Sequence, residues 1–118
     1  MRSKDELGRA GEQLAADFLE DAGLRVVDVN WRCTAGEIDL VALDGADLVV
    51  VEVKTRRSLR YGDPLEAVTD AKLRRLRTLA VLWAREHRHV MGALRIDAVG
   101  IVMDGRSTPR IDHLRGVA

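Results

Sequence analysis

Apolar positions recur along the 118-residue chain with two different periods, and the switches between them lay out the elements. Ser3-x-x-Glu6 forms a capping box, behind which Leu7, Gly11, Leu14 and Phe18 repeat at helical spacing. Ala22-Gly23 supplies a stop, so the pattern predicts a helix over about residues 4–22. Leu24 to Trp31 is β-branched and predicts a first strand, Ile38 to Leu43 a second, and Asp44-Gly45 a turn before a third at Asp47 to Lys54. Asp63-Pro64-x-Glu66 then reads as N-cap, N1 and N3 of a second helix, with the stripe Val68, Leu76, Leu79, Ala80 and Trp83 ending near His87. Arg95 to Val102 predicts a fourth strand and Arg110 to Leu114 a short fifth. The order is α-β-β-β-α-β-β: an α/β fold in which a meander crosses over through a helix, and hence a mixed central sheet flanked by helices. Strand three is apolar at Val49, Val51 and Val53 on one face and at Val50 on the other, which predicts a central strand covered on both sides.

Composition narrows the class. Hydrophobic residues make up 47% and charged residues 32%, the profile of one globular domain spanning 1–118. Nineteen basic and nineteen acidic side chains balance, which excludes nucleic-acid binding by bulk positive charge but leaves a local basic patch open. The charge is uneven: residues 1–53 carry a net −7, residues 54–77 a net +5 and residues 78–118 a net +2. A single cysteine, Cys33, excludes a disulfide framework. No apolar run is long enough to span a membrane and no signal-peptide core opens the chain, so a cytoplasmic location without a membrane partner is expected.

The chemistry concentrates at the end of the third strand. Strand period is two, so Glu52 and Lys54 project from one face, and Asp39 on the neighbouring hairpin strand lies opposite them in an antiparallel pair. Glu37 shares the face of Asp39 but stands nearer the loop. Two carboxylates and an ammonium at the mouth of an apolar strand suit a hard divalent cation, which takes oxygen ligands. The same pattern also describes an exposed strand end whose salt bridge contributes about 0–1 kcal/mol. Spacing alone leaves both readings open.

Gly36-Glu37-Ile38-Asp39, a hairpin, then Val51-Glu52-Val53-Lys54 resembles the D-(x)n-(D/E)-x-K signature of the PD-(D/E)xK nuclease superfamily, with its restriction-endonuclease-like fold. The blocks Gly11-Glu12, Asn30-Trp31-Arg32-Cys33, Val51 to Arg56 and Arg95-Ile96-Asp97 are closer still to the YraN family of uncharacterised bacterial proteins, over nearly the whole chain. Ile38 stands where the superfamily name has Pro, which is no ligand. The resemblance implies an α-β-β-β-α-β core and a Mg²⁺- or Mn²⁺-dependent endonuclease acting on DNA, with branched, flapped and single-stranded forms as candidate substrates. It implies Asp39, Glu52 and the Val53 carbonyl as metal ligands, and Lys54 beside the attacking water. Glu12 is similar to a first-helix acidic residue of archaeal Holliday-junction resolvases. On the helical period alone, Glu12 sits on the shoulder of the stripe and fits either the site or solvent.

The +5 block supplies the phosphate contacts this chemistry needs: Arg56, Arg57 and Arg60 after the strand, and Lys72 on the second helix, with Thr69 beside it. Arg74, Arg75 and Arg77 read as a solvated helix face, and Tyr61 offers a ring for base stacking. His87 and His89 are two apart, off any shared helix face, so no zinc site is expected. Cys33 reads as a buried or semi-exposed thiol rather than a nucleophile, and Trp31 and Trp83 as core or interface anchors. A non-catalytic nucleic-acid-binding or adaptor module on the same fold is the alternative to the enzyme. A homodimeric scaffold joined through residues such as Trp31 is the third reading.

Overall fold

The computed structural model describes residues 4–60, 62–90 and 92–117, so the Ser3 cap and the Tyr61 ring lie outside the described residues. Helix α1 (Lys4–Asp21) leads into β1 (Arg25–Cys33), β2 (Gly36–Asp44) and β3 (Asp47–Arg56); α2 (Asp70–Glu86) then crosses to β4 (Leu94–Val102), followed by β5 (Arg110–Leu114). The five strands lie in sequence order. Only β3 and β4 pair in parallel, across the α2 connection, and the other neighbours are antiparallel. This is the mixed sheet that the order of elements predicts, with β3 in the middle.

Each helix covers one face. Ala15 and Leu19 of α1 pack with Leu40, Val49, Val51, Val53, Val99 and Ile101. Leu73, Leu76, Leu79 and Trp83 of α2 pack with Ile38, Val41, Leu48, Val50 and Ile96 on the opposite face. The four consecutive buried residues Leu48–Val51 are explained by this double cover. No helix among the described residues is long and apolar enough to cross a membrane.

Three details depart from expectation. The stripe of α1 that enters the core runs through Leu7, Gly11, Ala15 and Leu19, whereas Phe18 is exposed with its ring edge-on to His113. The hairpin between β1 and β2 is tighter than the sequence suggests, pairing Cys33 with Gly36, so Glu37 belongs to the strand and not to the loop. The second helix does not begin at Asp63. Asp63 accepts from the Leu65 N–H at 3.0 Å and caps only a one-turn 3₁₀ helix, Pro64–Ala67, whose Pro64 and Leu65 fill the space above Gly100. Val68 and Thr69 are extended, and Thr69 Oγ1 then caps α2 by accepting from the Lys72 N–H. Thr69 therefore serves the helix end rather than the site.

Near the start of β4, Asp97 is fully buried and fully partnered. Arg95 Nε and one terminal nitrogen reach its two oxygens at 2.9 and 3.1 Å, His113 Nε2 stands at 2.8 Å and the Gly116 N–H at 3.0 Å. Burial pushes its pKa up, but the hydrogen bonds from Arg95, Gly116 and His113 outweigh that and hold the carboxyl below its ordinary value. The network ties β5 and the chain's end to the start of β4.

Candidate cation and phosphate site

The β2–β3 ladder runs from Asp44↔Asp47 to Leu40↔Val51 and stops there. Beyond it, β2 stays with β1 as far as Gly36, while β3 stays with β4 as far as Arg56. The two strands fork, and the fork leaves β3 backbone groups without a strand partner. Asp39 Oδ2 takes the place of that partner, accepting from the Val53 N–H at 2.8 Å. The N–H and C=O of one strand residue point to the same side, so the Val53 carbonyl also faces the opening. Asp39 thus reaches β3 through its carboxylate rather than as the cross-strand neighbour expected from alternation.

Glu52 and Lys54 share a face as the period of two requires, with Lys54 Nζ 3.6 Å from Glu52 Oε1. Their side chains are 14% and 31% exposed, so the pair is half-buried rather than fully solvated. Helix α1 approaches from the other face and touches β3 closely: a Cβ on Gly11 would collide with the Thr55 side chain. That approach carries the next residue, Glu12, to the fork, where Glu12, Glu37 and Asp39 each offer a carboxylate oxygen within 4.8 Å of the others. Glu12 therefore stands half-buried at the fork rather than in solvent, and Glu37 stands with it because the tight hairpin keeps it in the strand. The grouped donors are carboxylate oxygens of Glu12, Glu37 and Asp39, with Glu52, expected from the sequence as a ligand, outside that group but lining the same opening; oxygen donors suit a hard divalent cation such as Mg²⁺ or Mn²⁺.

Crowded carboxylates resist ionisation. Burial and then the Glu52 charge push the Asp39 pKa up to about 7, against the pull of the Val53 hydrogen bond; Glu12 and Glu37 add to the rise. Glu12 is also raised, by burial first, although a hydrogen bond from the Asn30 side chain opposes the change. On α2, Lys72 is held below the ordinary lysine value by the close approach of the Lys54 side chain, by burial and by the Lys54 charge, while Glu52 and Asp39 pull the other way. Two ammonium groups therefore meet beside the carboxylates.

A cleft of about 310 Å³ opens here, lined by Glu37, Asp39, Glu52, Lys72 and Arg75 over an apolar floor of Leu76 and Leu79. Arg75, which the helix pattern assigns to solvent, is thus at the site, and only the packing of α2 over the fork could show it. Arg56 ends β3 half-buried, its carbonyl accepting from the Met103 N–H at 2.8 Å. Arg57 and Arg60 are exposed, and Arg57 lines a different, more apolar cleft of about 790 Å³ between α1 and the β4–β5 connection. Of the four basic residues singled out from the sequence, Lys72 alone is among those lining the carboxylate cleft. His87 stacks on Trp83 at the end of α2, with His89 edge-on to the same ring. Trp83 is buried in the core; Trp31 and Cys33 are half-buried against it.

Residues 11–101 match the uncharacterised protein family UPF0102. A UPF0102 protein of Renibacterium salmoninarum is 65% identical over 117 residues, covering 99% of both chains. Similar proteins of the same description occur in Arthrobacter sp. strain FB24, at 59% identity, and in Beutenbergia cavernae, at 53%, each again covering 99% of both chains.

Proposed function

The chain belongs to the UPF0102 family, and we propose that it is a metal-dependent endonuclease that hydrolyses phosphodiester bonds in DNA. The observation that carries this reading is the β2–β3 fork. There Asp39 is locked onto the Val53 N–H, beside the Glu52–Lys54 pair and within reach of two further carboxylates. Asp39, Glu52 and the Val53 carbonyl would hold Mg²⁺ or Mn²⁺, with Glu12 closing the set. The cation supplies Lewis acidity toward water and toward a phosphate oxygen. Lys54, held at the cleft by Glu52, orients the attacking water and offsets the negative charge that develops on the phosphate. Lys72 and Arg75 receive the phosphate oxygens. Water oxygen bonds to phosphorus as the bond to the leaving sugar oxygen breaks; the proton lost by the attacking water passes to solvent, and the sugar oxygen takes up a proton from solvent to leave as a hydroxyl.

The test is cleavage of linear, flapped, four-way-junction and single-stranded DNA, with Mg²⁺ or Mn²⁺ and with chelator, by the wild type, Asp39→Asn and Lys54→Ala. Metal-dependent cutting that both substitutions abolish supports the enzyme, and the preferred substrate identifies its class. Cutting that survives both substitutions refutes the proposal, since the activity then belongs to a contaminant. Binding that weakens steeply with salt but never leads to cutting favours the non-catalytic module instead.

A further inference from the structure

Asn30 lies inside β1, between the pairs Val29↔Leu40 and Trp31↔Ile38, and therefore opposite Asp39 in register. Its φ is +53°, in the left-handed region, where a mid-strand residue other than glycine is strained by about 1–3 kcal/mol. A strand on the sheet edge has no need of such a kink to satisfy its own pairing, since β1 keeps register with β2 on both sides of it. What the kink does achieve is proximity: it sets the Asn30 side chain beside Glu12 in the cleft between β1 and α1, where its amide opposes the rise in the Glu12 pKa. Two residues on, Arg32 Nε stands 2.8 Å from Glu37 Oε2. The edge strand thus brings an amide beside one outer carboxylate and pairs a guanidinium with the other, and Asn30, Arg32, Glu12 and Glu37 line one continuous cleft of about 500 Å³.

We propose that Asn30 is a positioning residue for the cation centre, its strained backbone aiming the side-chain amide so that Glu12 is held toward Asp39. The proposal rests on the cation-centre reading above and deepens it. A carboxylate on a helix has several rotamers and, crowded by Glu37 and Asp39, would turn toward solvent. A donor on its far oxygen fixes one rotamer and leaves the near oxygen for the cation, which is how outer hydrogen bonds commonly tune metal sites. Asparagine suits both needs, because it tolerates the left-handed conformation and carries the donor.

The experiment is Mn²⁺ titration of the intact protein, followed by the paramagnetic signal of the free ion, on the wild type, Asn30→Gly, Glu12→Gln, the Asn30→Gly/Glu12→Gln double variant and Asp39→Asn. Glycine keeps the left-handed backbone and removes only the amide. The expected result is a 10–100-fold weaker Mn²⁺ affinity for Asn30→Gly, with thermal stability in chelator unchanged or higher. The same substitution should have no further effect in the Glu12→Gln background. Wild-type affinity in Asn30→Gly, alongside a loss in Asp39→Asn, would overturn the positioning role while leaving the cation centre standing. An equal loss with and without Glu12 would also overturn it. If the wild type binds no Mn²⁺, or Asp39→Asn binds it as well as the wild type, the cation-centre reading itself falls and the proposal with it.

Discussion

Asp39 ought to destabilise the protein that it equips for cation binding. Its carboxyl titrates near pH 7 in the fold, pushed up by burial and by Glu52, against an ordinary value of 3.8. A raised acid binds more protons folded than unfolded, so the penalty on the folded state is absent below about pH 4, grows as pH rises to about 7 and is constant above that. The full difference corresponds to roughly 4 kcal/mol at pH 8 as an upper bound. The cleft admits water and the strain is shared with Glu12, Glu37 and Glu52, so about 2 kcal/mol is expected. In Asp39→Asn the side-chain oxygen still accepts from the Val53 N–H, and the added NH₂ faces Glu52 as a donor instead of a like charge. Urea unfolding in chelator should therefore find Asp39→Asn about 2 kcal/mol more stable than the wild type at pH 8, with the gap closing to about a quarter of that at pH 4. Saturating Mn²⁺ should reverse the order, because only the wild type gains binding energy, about 2.7 kcal/mol at a hundredfold excess over Kd. A gap that is the same at pH 4 and pH 8, or a wild type that is the more stable at pH 8 in chelator, would refute the electrostatic argument.

Three further outcomes follow from packing and backbone. Gly11→Ala should lower stability by about 1–3 kcal/mol, because its methyl meets the Thr55 side chain where α1 crosses β3; Thr55→Gly in the same chain should restore part of the loss in thermal unfolding. Arg88, at φ +50°, follows α2 and lets the His89 N–H reach the Ala84 carbonyl at 2.8 Å, so Arg88→Gly should raise the unfolding free energy by up to about 1 kcal/mol; a drop would contradict the strain. Asp97→Ala should cost about 3–5 kcal/mol, since it strips the buried partner from Arg95 and His113. Because the Asp97 pKa is depressed, its contribution is present above the ordinary aspartate range and fades as pH falls below about 4, which acid titration of the wild type and the variant would show as curves that converge at low pH.

What could be read from the chain was whatever the chain encodes over a few residues. The two-period apolar pattern located every strand to within a few residues. The four-residue core run of β3 identified the central strand, and Asp44-Gly45 marked a turn whose Gly45 has φ +61°. The same-face pairing of Glu52 with Lys54 follows from alternation alone and holds at 3.6 Å. Local signals misled where two of them competed. Asp63-Pro64-Glu66 is a sound helix start, yet Leu65 and Pro64 are drawn onto Gly100 of β4, and the chain must restart its helix at Thr69.

Tertiary structure alone decided which distant groups meet. Glu12, Asn30, Glu37, Asp39, Glu52 and Lys72 come from five elements. They converge because the β2–β3 ladder ends at Leu40↔Val51, while Gly11 lets α1 settle onto Thr55 and α2 lies across the opposite face. Nothing in the periodicity of β2 announces that it will leave β3 at Asp39, since the departure is set by pairing partners on both sides and by two helices at once. Arg75 likewise looks solvated on its own helix and becomes part of the site only because α2 packs above the fork. Periodicity and capping act through neighbours in sequence and so are written locally. The fork is a balance among non-local contacts, and its carboxylates acquire their chemistry only from the burial and mutual repulsion that this balance imposes.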